Sequence, residues 1–488
     1  MVEKGNNKFQ ERKELLNNKI DLIKTLNVNY NIDNTNDQAL KIDWQIVAVI
    51  QSLLQDFSII TGGPGTGKTT TLKKLLTVLY SIEPYTRIAL AAPTGKASMR
   101  MYESLTNANK DSPLDIQEKF KQLNPCTIHS MLGYKKDSVN FKYNSANNLP
   151  FDWIIIDEAS MIDVPMFAKV LDAMSPTCRI ILLGDKDQLA SVEAGSLLGD
   201  LCLSLSSINN LAEERVNLIN TFISDTNRKI SADYIKANNS LLANCIIELK
   251  YSHRFNIYGE IGKLSMAVLN NNVAELLNFI SHPKDTTIAF DTTSINKIIT
   301  DFSELYRDYL EEKDTKEALK KLNDVRVLVA VREGNRGLYA TNRKIEQELT
   351  ALKLINTDKV YYENRPVIVT RNMYQLGLFN GDIGIVREGR VWFDIAGDTE
   401  LRSFLPSYLT NAETVFAMTI HKSQGSEFNN VLIVLPEGVD SPLLTRELLY
   451  TGITRAKKKI TIWGQTESVL QAAKSTVERV SGISFKLA

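Results

Sequence analysis

The chain has 488 residues, 43% of them hydrophobic and 23% charged, with 57 Lys and Arg against 57 Asp and Glu. That length leaves room for several domains with sizeable cores, and zero net charge excludes a bulk field as the source of any nucleic-acid affinity, which must come from a local patch. Four scattered cysteines (Cys126, Cys178, Cys202, Cys245) without a CxxC pair argue against a disulfide framework, a zinc site or a cysteine-held iron–sulfur cluster. A charged N-terminus without an apolar h-region, and no apolar run approaching the roughly 20 residues a bilayer needs, complete the expectation of a soluble, reduced, cytoplasmic protein.

In chain order, residues 1–40 are polar, Asn-rich and helical in part, a short N-terminal segment ending in NIDNTND. Over 41–215 the apolar runs FSII, RIALAAP, WIIID and RIILLGD alternate with helical patterns. Each run ends where polar or Gly residues begin, the signature of buried parallel strands with chemistry at their C-terminal ends. Within this α/β domain, 133–148 (GYKKDSVNFKYNSANN) reads as a small hairpin. Residues 206–240, rich in Asn and Ser, read as a partly helical connector or mobile segment. Over 241–488 the runs VRVLVAV, NNVLIVLP and KKITIWG predict a second α/β domain. Residues 366–410 interrupt it with short β runs and an Asn380-Gly381 hairpin signal, predicting a small β-barrel-like insertion.

The segment Gly62-Gly63-Pro64-Gly65-Thr66-Gly67-Lys68-Thr69 fits the P-loop pattern GxxxxGK[ST], between strand FSIIT and the helix that opens with Thr70. Its backbone N–H groups and the helix N-terminus form an anion nest; Lys68 neutralises phosphate oxygens and the Thr69 hydroxyl ligates Mg2+. Asp157 and Glu158, at the end of strand WIII, suit a second Mg2+ contact and a base that orients water. Gln188, after strand IILL, carries an amide suited to sensing a γ-phosphate. Trp44 and Gln45 suit stacking on and hydrogen bonding to adenine. Arg254 and Arg455 are candidates to complete phosphoryl-transfer charge, although each read singly is more often a surface arginine.

The ordered set GGPGTGKTTTL, AAPTGKA, CTIHSMLG, DEASMID, GDKDQLASVEAG, HRF, LGLFNGDIGIV, FAMTIHKSQGSEF and LYTGITRAKKKITIWG resembles the superfamily 1 helicases. More narrowly it resembles the RecD family, the α subunits of exodeoxyribonuclease V (RecBCD), over residues 41–488. The resemblance implies two RecA-like domains, a 5′→3′ DNA helicase using ATP and Mg2+, a role in recombinational repair, and RecB and RecC as partners. It implies that Gln45 reads adenine, that Gln188, Arg254 and Arg455 face the γ-phosphate, and that Gly425 and Glu427 reach the nucleotide. It also implies DNA contacts at Thr94, Lys96, Thr127 and His129, and at His421 and Ser423. The 133–148 segment looks like the family's duplex-splitting pin and 366–410 like its SH3-like insertion. Lys457, Lys458 and Lys459 read as a phosphate grip or, slightly better, as a solvated face. Family members usually carry a longer N-terminal domain that docks on RecC, whereas 61 residues precede Gly62 here. A helicase of the same superfamily acting alone therefore stays open beside the subunit reading. No clustered Asp/Glu/Lys set suggests a nuclease.

Overall fold

A computed structural model describes residues 7–27, 37–107, 114–135, 138, 140–190, 197–236, 240–252, 259–283, 286–395, 400–438 and 441–476. The chain divides into two units, Met1–Arg254 with Arg479–Ala488, and Phe255–Glu478.

The strands of the first unit are β1 (Phe57–Thr61), β2 (Ile88–Ala92), β3 (Cys126–Thr127), β4 (Trp153–Ile156), β5 (Arg179–Gly184) and β6 (Ile246–Glu248). They form a parallel six-stranded sheet in the order β3-β2-β4-β5-β1-β6. Alternation explains why these strands read as unbroken apolar runs. Ile60, Leu90, Ile155, Ile181 and Leu183 enter the core on one face. Ile59, Ala91, Ile154, Ile156, Ile180 and Leu182 enter the core on the other. Both faces are covered, so neither can be polar.

Several expectations move here. The segment 206–240 is helical in part, as expected, but it is no mere connector: the helix Glu213–Thr221 sends Val216, Leu218 and Ile219 into the first core together with Leu211, Phe222 and Ile223. β6, expected in the second domain, hydrogen-bonds along β1 from Ile59 to Thr61. The boundary therefore shifts from 240 to 254. The N-terminal segment is also integral: Phe9, Leu16 and Ile23 lie in the same core, and Arg12 pairs with Asp56 and donates to the Leu54 carbonyl at 3.0 Å. In 133–148 no strand forms among the described residues. The backbone folds back through Lys142 N to Gly133 O (3.0 Å) and Tyr143 N to Leu132 O (3.1 Å), with a single bridge between Asn144 and Asn147.

The parallel strands of the second unit are β7 (Ile288–Asp291), β8 (Val325–Val329), β14 (Ala417–Thr419), β15 (Phe428–Val434) and β16 (Ala456–Trp463). Between β8 and β14 the chain leaves for β9 (Pro366–Val369), β10 (Ile383–Arg387), β11 (Arg390–Phe393), β12 (Arg402–Phe404) and β13 (Ala412–Thr414). The parallel sheet runs in the order β14-β8-β15-β16-β7 and the antiparallel one in the order β12-β11-β10-β9-β13. The antiparallel strands have their own small core of Val367, Val369, Leu378, Val386, Val391, Phe393 and Leu409. The tight hairpin turn is not Asn380-Gly381. It is Glu388-Gly389, both at positive φ (53° and 71°), joining β10 to β11. Gly381 instead donates to the Val369 carbonyl at the end of a longer connection. The insertion is pinned to the rest of the second unit at both ends: the hydroxyl of Tyr309, on the helix Arg307–Leu310, donates to Asn364 O, and buried Arg326 of β8 donates to Val415 O. Among the described residues no helix is long and apolar enough to cross a membrane.

Candidate nucleotide site and strand-contact residues

All chemistry-bearing loops of the first unit leave the C-terminal ends of its parallel strands. The P-loop leaves β1, and Gly62 N donates to Gly184 O at 3.1 Å, tying the loop to the end of β5. The helix Lys68–Ile82 starts from Gly67 at φ 85°, a conformation that costs a side chain strain and glycine little. The Lys68 ammonium folds back onto the loop's floor, donating to Gly62 O (2.6 Å) and Gly63 O (3.2 Å). Thr69 keeps part of its surface open and Thr70 is exposed, while Thr66 is buried with its hydroxyl donating to Gly63 O at 2.8 Å.

Asp157 directly follows β4, two strands from the P-loop. Burial first, then the charge of Glu158, raises its pKa above the ordinary carboxylate range, with Lys68 opposing. Glu158 sits at φ 52°, ψ 39°, a left-handed conformation that a non-glycine residue adopts at a cost on the order of 1 kcal/mol. Its N–H donates to Asp157 Oδ1 at 2.8 Å, so the strained turn holds both carboxylates at the strand end.

Gln188 is buried and donates from Nε2 to Asp185 Oδ2 at 2.9 Å; its Oε1 has no hydrogen-bond partner among the described residues. The residue that organises this loop is Asp185, which the sequence reading passed over. Its Oδ1 accepts from Asp187 N at 3.1 Å while Oδ2 holds Gln188. Burial raises the Asp185 pKa to about 6, opposed by Lys68. The available signal was its position as the first acid after β5. Ser252, following β6, was also missed; its hydroxyl donates to Pro64 O at 3.0 Å, so the SHRF motif starts against the P-loop. Arg254 itself lies outside the described residues.

A pH test follows from Asp185. Its folded pKa lies above the unfolded value of about 4. The stability it contributes is therefore fully present below that value and lost as pH rises through about 6. The difference in unfolding free energy between wild type and Asp185→Asn should thus decline by on the order of 1–3 kcal/mol across that window. Denaturant titrations at pH steps measure it, and a flat difference contradicts the buried, proton-binding carboxyl.

Gln45 is buried in the first turn of the helix Trp44–Leu54, its Nε2 3.4 Å from Thr66 O, which places it against the P-loop. Trp44 differs from expectation. It is buried, packs edge-on against Tyr234 with ring centroids 5.0 Å apart, and donates to Ala39 O. It is a core residue and offers no face to a base.

The strand-contact candidates occupy the other half of the same sheet edge. Ala92 of β2 is in register with Thr127 of β3, so the loops holding Thr94 and Thr127 emerge side by side. Each threonine caps the helix it precedes, Thr94 accepting from Ala97 N and Thr127 from Ser130 N. Lys96 is partly exposed and His129 exposed. The His129 ring lies edge-on to Phe141, and partial desolvation on its packed side lowers its pKa below the ordinary value.

In the second unit, TIHKSQGSEF follows β14. His421–Ser423 forms a single 3-10 turn, and Gly425 at φ 70° redirects the chain into β15. His421, Gly425 and Glu427 are partly exposed, and Glu427 pairs with Lys457 at 3.3 Å. Ser423 is fully buried and its hydroxyl donates to Ile420 O at 2.7 Å. Its side chain serves the turn and presents nothing to a strand, a correction to the sequence reading. Arg455 is not a surface arginine either. It is buried and donates to Thr451 O (3.0 Å) and Ser426 O (3.2 Å), fastening the TGITRA helix to the HKSQGSE loop. Lys457, Lys458 and Lys459 are exposed.

Comparison with known proteins adds relatives to this geometry. Residues 45–194 match the AAA domain family, and residues 414–462 match the UvrD-like helicase C-terminal domain family. The chain is 36% identical over 476 residues to the RecBCD enzyme subunit RecD of Haemophilus influenzae, spanning 91% of this chain and 72% of that protein. It is 35% identical over 457 residues to the RecBCD enzyme subunit RecD of Mycolicibacterium smegmatis, spanning 91% and 74%. It is 28% identical over 413 residues to the ATP-dependent RecD2 DNA helicase of Deinococcus radiodurans, spanning 82% of this chain and 46% of that protein.

Proposed function

The chain belongs to the RecD family of DNA helicases, and we propose that it is the ATP-driven 5′→3′ translocating subunit of a RecBCD-type recombination exonuclease. In this reading it acts in the cytoplasm on single-stranded DNA and duplex ends, with RecB- and RecC-type chains as partners, in double-strand break repair. One observation carries most of the reading. Along one sheet edge, the P-loop, Asp157 and Gln188 occupy the β4-β5-β1 half, and Thr94 and Thr127 the adjoining β3-β2 half. Asp157 and Gln188 thus follow strands one and two places from β2, whose loop is proposed to grip a DNA backbone.

Lys68 and the P-loop amides bind the triphosphate, Gln45 reads the base, and Glu158 orients the attacking water. The donor set suits Mg2+: the partly open Thr69 hydroxyl and the Asp157 carboxylate are hard oxygen ligands. Crowding of Asp157 by Glu158 leaves excess negative charge that a divalent cation neutralises. When bound, the ion screens the phosphate oxygens. We assign Arg254, Arg455, Gly425 and Glu427 to the nucleotide and Lys96, His129 and His421 to the DNA strand. The segments 133–148 and 366–410 are assigned as pin and SH3-like insertion of two RecA-like domains.

A second reading, a helicase acting alone, draws on the 28% identity to a protein named as an ATP-dependent DNA helicase in its own right. Two measurements separate them. Pull-down from native cells should recover two large partner chains, and recovery of the chain alone sinks the subunit reading. Purified protein should unwind 5′-tailed duplexes and leave 3′-tailed ones intact; the reverse preference overturns the polarity.

A further inference from the structure

The loop that carries Gln188 is tied across the strand of the P-loop by a pair of charges with no other assigned role. In the parallel sheet of the first unit, β1 lies between β5 and β6. The P-loop leaves β1, the Asp185–Gln188 loop leaves β5, and the segment running through Ser252 to Arg254 leaves β6. Two strands that flank a common neighbour stand about 10 Å apart, too far for their own backbones to meet. Two long side chains close that gap: Lys186 Nζ lies 3.2 Å from Glu248 Oε1.

The backbone on either side is fixed first. Lys186 N donates to Thr61 Oγ1 at 3.1 Å and Leu249 N donates to Thr61 O at 2.8 Å, so the last residue of β1 anchors both neighbours. Asn209, buried and left-handed at φ 72°, closes the outer edge of β6; its side chain accepts from Glu248 N (2.7 Å) and donates to Glu248 O (2.9 Å). The Glu248 side chain therefore starts from a rigid point. Its Oε2 accepts from Lys250, while Lys186 also pairs with Asp187 at 2.6 Å. Asp187 belongs to the lysine's own loop, so among the described residues the pair with Glu248 is what ties the lysine side chain to another strand. Burial would raise the Glu248 pKa, but Lys186 and Lys250 outweigh it and hold it below its ordinary value, which keeps the carboxylate charged at neutral pH. With 23% of the Lys186 and 16% of the Glu248 side chain exposed, water partly screens the pair, and its contribution to global stability is small. What it fixes is position.

We propose that Glu248 is a positioning residue for ATP hydrolysis: through Lys186 it holds the loop that carries Gln188, and through Lys250 the segment that leads from β6 to Arg254. The Ser252 hydroxyl of that segment donates to Pro64 O, so the carboxylate sets both against the P-loop. The inference rests on the assignment of Gln188 and Arg254 to the γ-phosphate. Groups that act on the transition state lose effect steeply when displaced, while ground-state binding by the P-loop and Gln45 persists. The loss should therefore fall on kcat and spare the KM for ATP.

The test uses full-length wild type, Glu248→Gln, Lys186→Met, Lys186→Arg and the double variant Lys186→Met/Glu248→Gln. Steady-state ATP hydrolysis is measured with saturating single strand, at a temperature where circular dichroism shows each protein folded. Glu248→Gln and Lys186→Met should each lower kcat about tenfold with KM for ATP within about twofold. The double variant should lose about tenfold as well, since both singles break one link, against about a hundredfold for independent effects. Lys186→Arg keeps charge and reach and should lose no more than about threefold. A merely structural pair lowers the unfolding midpoint and leaves kcat of the folded singles at the wild-type value, which overturns the inference. Multiplying losses in the double variant, or a raised KM at unchanged kcat, overturn it too. Wild type without strand-stimulated hydrolysis removes the nucleotide reading and this inference with it, whereas wild-type kcat in the folded singles removes the inference alone.

Discussion

Lys68→Gln stays folded and loses DNA-stimulated ATP hydrolysis by about 10²–10³-fold or more, the scale of removing one preorganised donor from developing negative charge. The structure supports both halves of that expectation. The Lys68 ammonium is bonded to the carbonyls of Gly62 and Gly63, and a glutamine, one bond shorter and neutral, removes the charge while retaining an amide donor. The loop's own bonds, Thr66 to Gly63 and Gly62 to Gly184, do not involve Lys68. What disappears is the positive charge that faces the two buried carboxyls, Asp157 and Asp185, and with ATP present the phosphate oxygens. Loss of Lys68 should also raise the pKa of both carboxyls further, since its charge is what opposes their burial. The measurement is steady-state hydrolysis with saturating single strand. A rate within threefold of wild type, about 0.65 kcal/mol in barrier height, means the nucleotide site is misassigned.

Much of this site was legible because parallel strands bury both faces and so write themselves as apolar runs ending at the chemistry. β1, β2, β4 and β5 were all read, and with them the P-loop, Asp157 and Gln188. Elements too short to carry a pattern were not: β3 has two residues and β6 three, and each is a strand only because a longer neighbour supplies its ladder. The segment 206–240 misled for a different reason. Its helix is expected, but its few apolar positions all point into the first core, and an average composition dominated by Asn and Ser hides that anchoring. Glu388-Gly389 was passed over because the turn rule favours Asn or Asp before Gly, while the β10–β11 ladder imposes the left-handed conformation on a glutamate. Trp44 and Ser423 show the limit of motif reading. A motif states which residue types meet, but burial decides which of their atoms remain available.

Arg455 gives the second large effect, and its geometry makes the outcome twofold. Its guanidinium spans two sequence motifs, donating from Nε to Thr451 O and from Nη1 to Ser426 O, in a pocket that leaves it almost no exposed surface. Arg455→Ala leaves those buried carbonyls without this donor, which costs on the order of 1–3 kcal/mol of stability. If Arg455 also neutralises charge at the γ-phosphate, the same substitution lowers kcat for DNA-stimulated hydrolysis by about 10³-fold or more. Arg455→Lys separates the roles. It keeps the charge and loses the planar fork, so it cannot serve both carbonyls at once. A purely structural arginine predicts that both variants lower the unfolding midpoint and hydrolyse at wild-type kcat while folded. A catalytic one predicts a collapse of kcat in both, at temperatures where circular dichroism shows them fully folded. Because Phe428 N donates to Arg455 O at 2.9 Å, the backbone link from the TGITRA helix to β15 survives either substitution. The variants therefore test the guanidinium and not the path of the chain, and wild-type kcat in folded Arg455→Ala removes this residue from the chemistry.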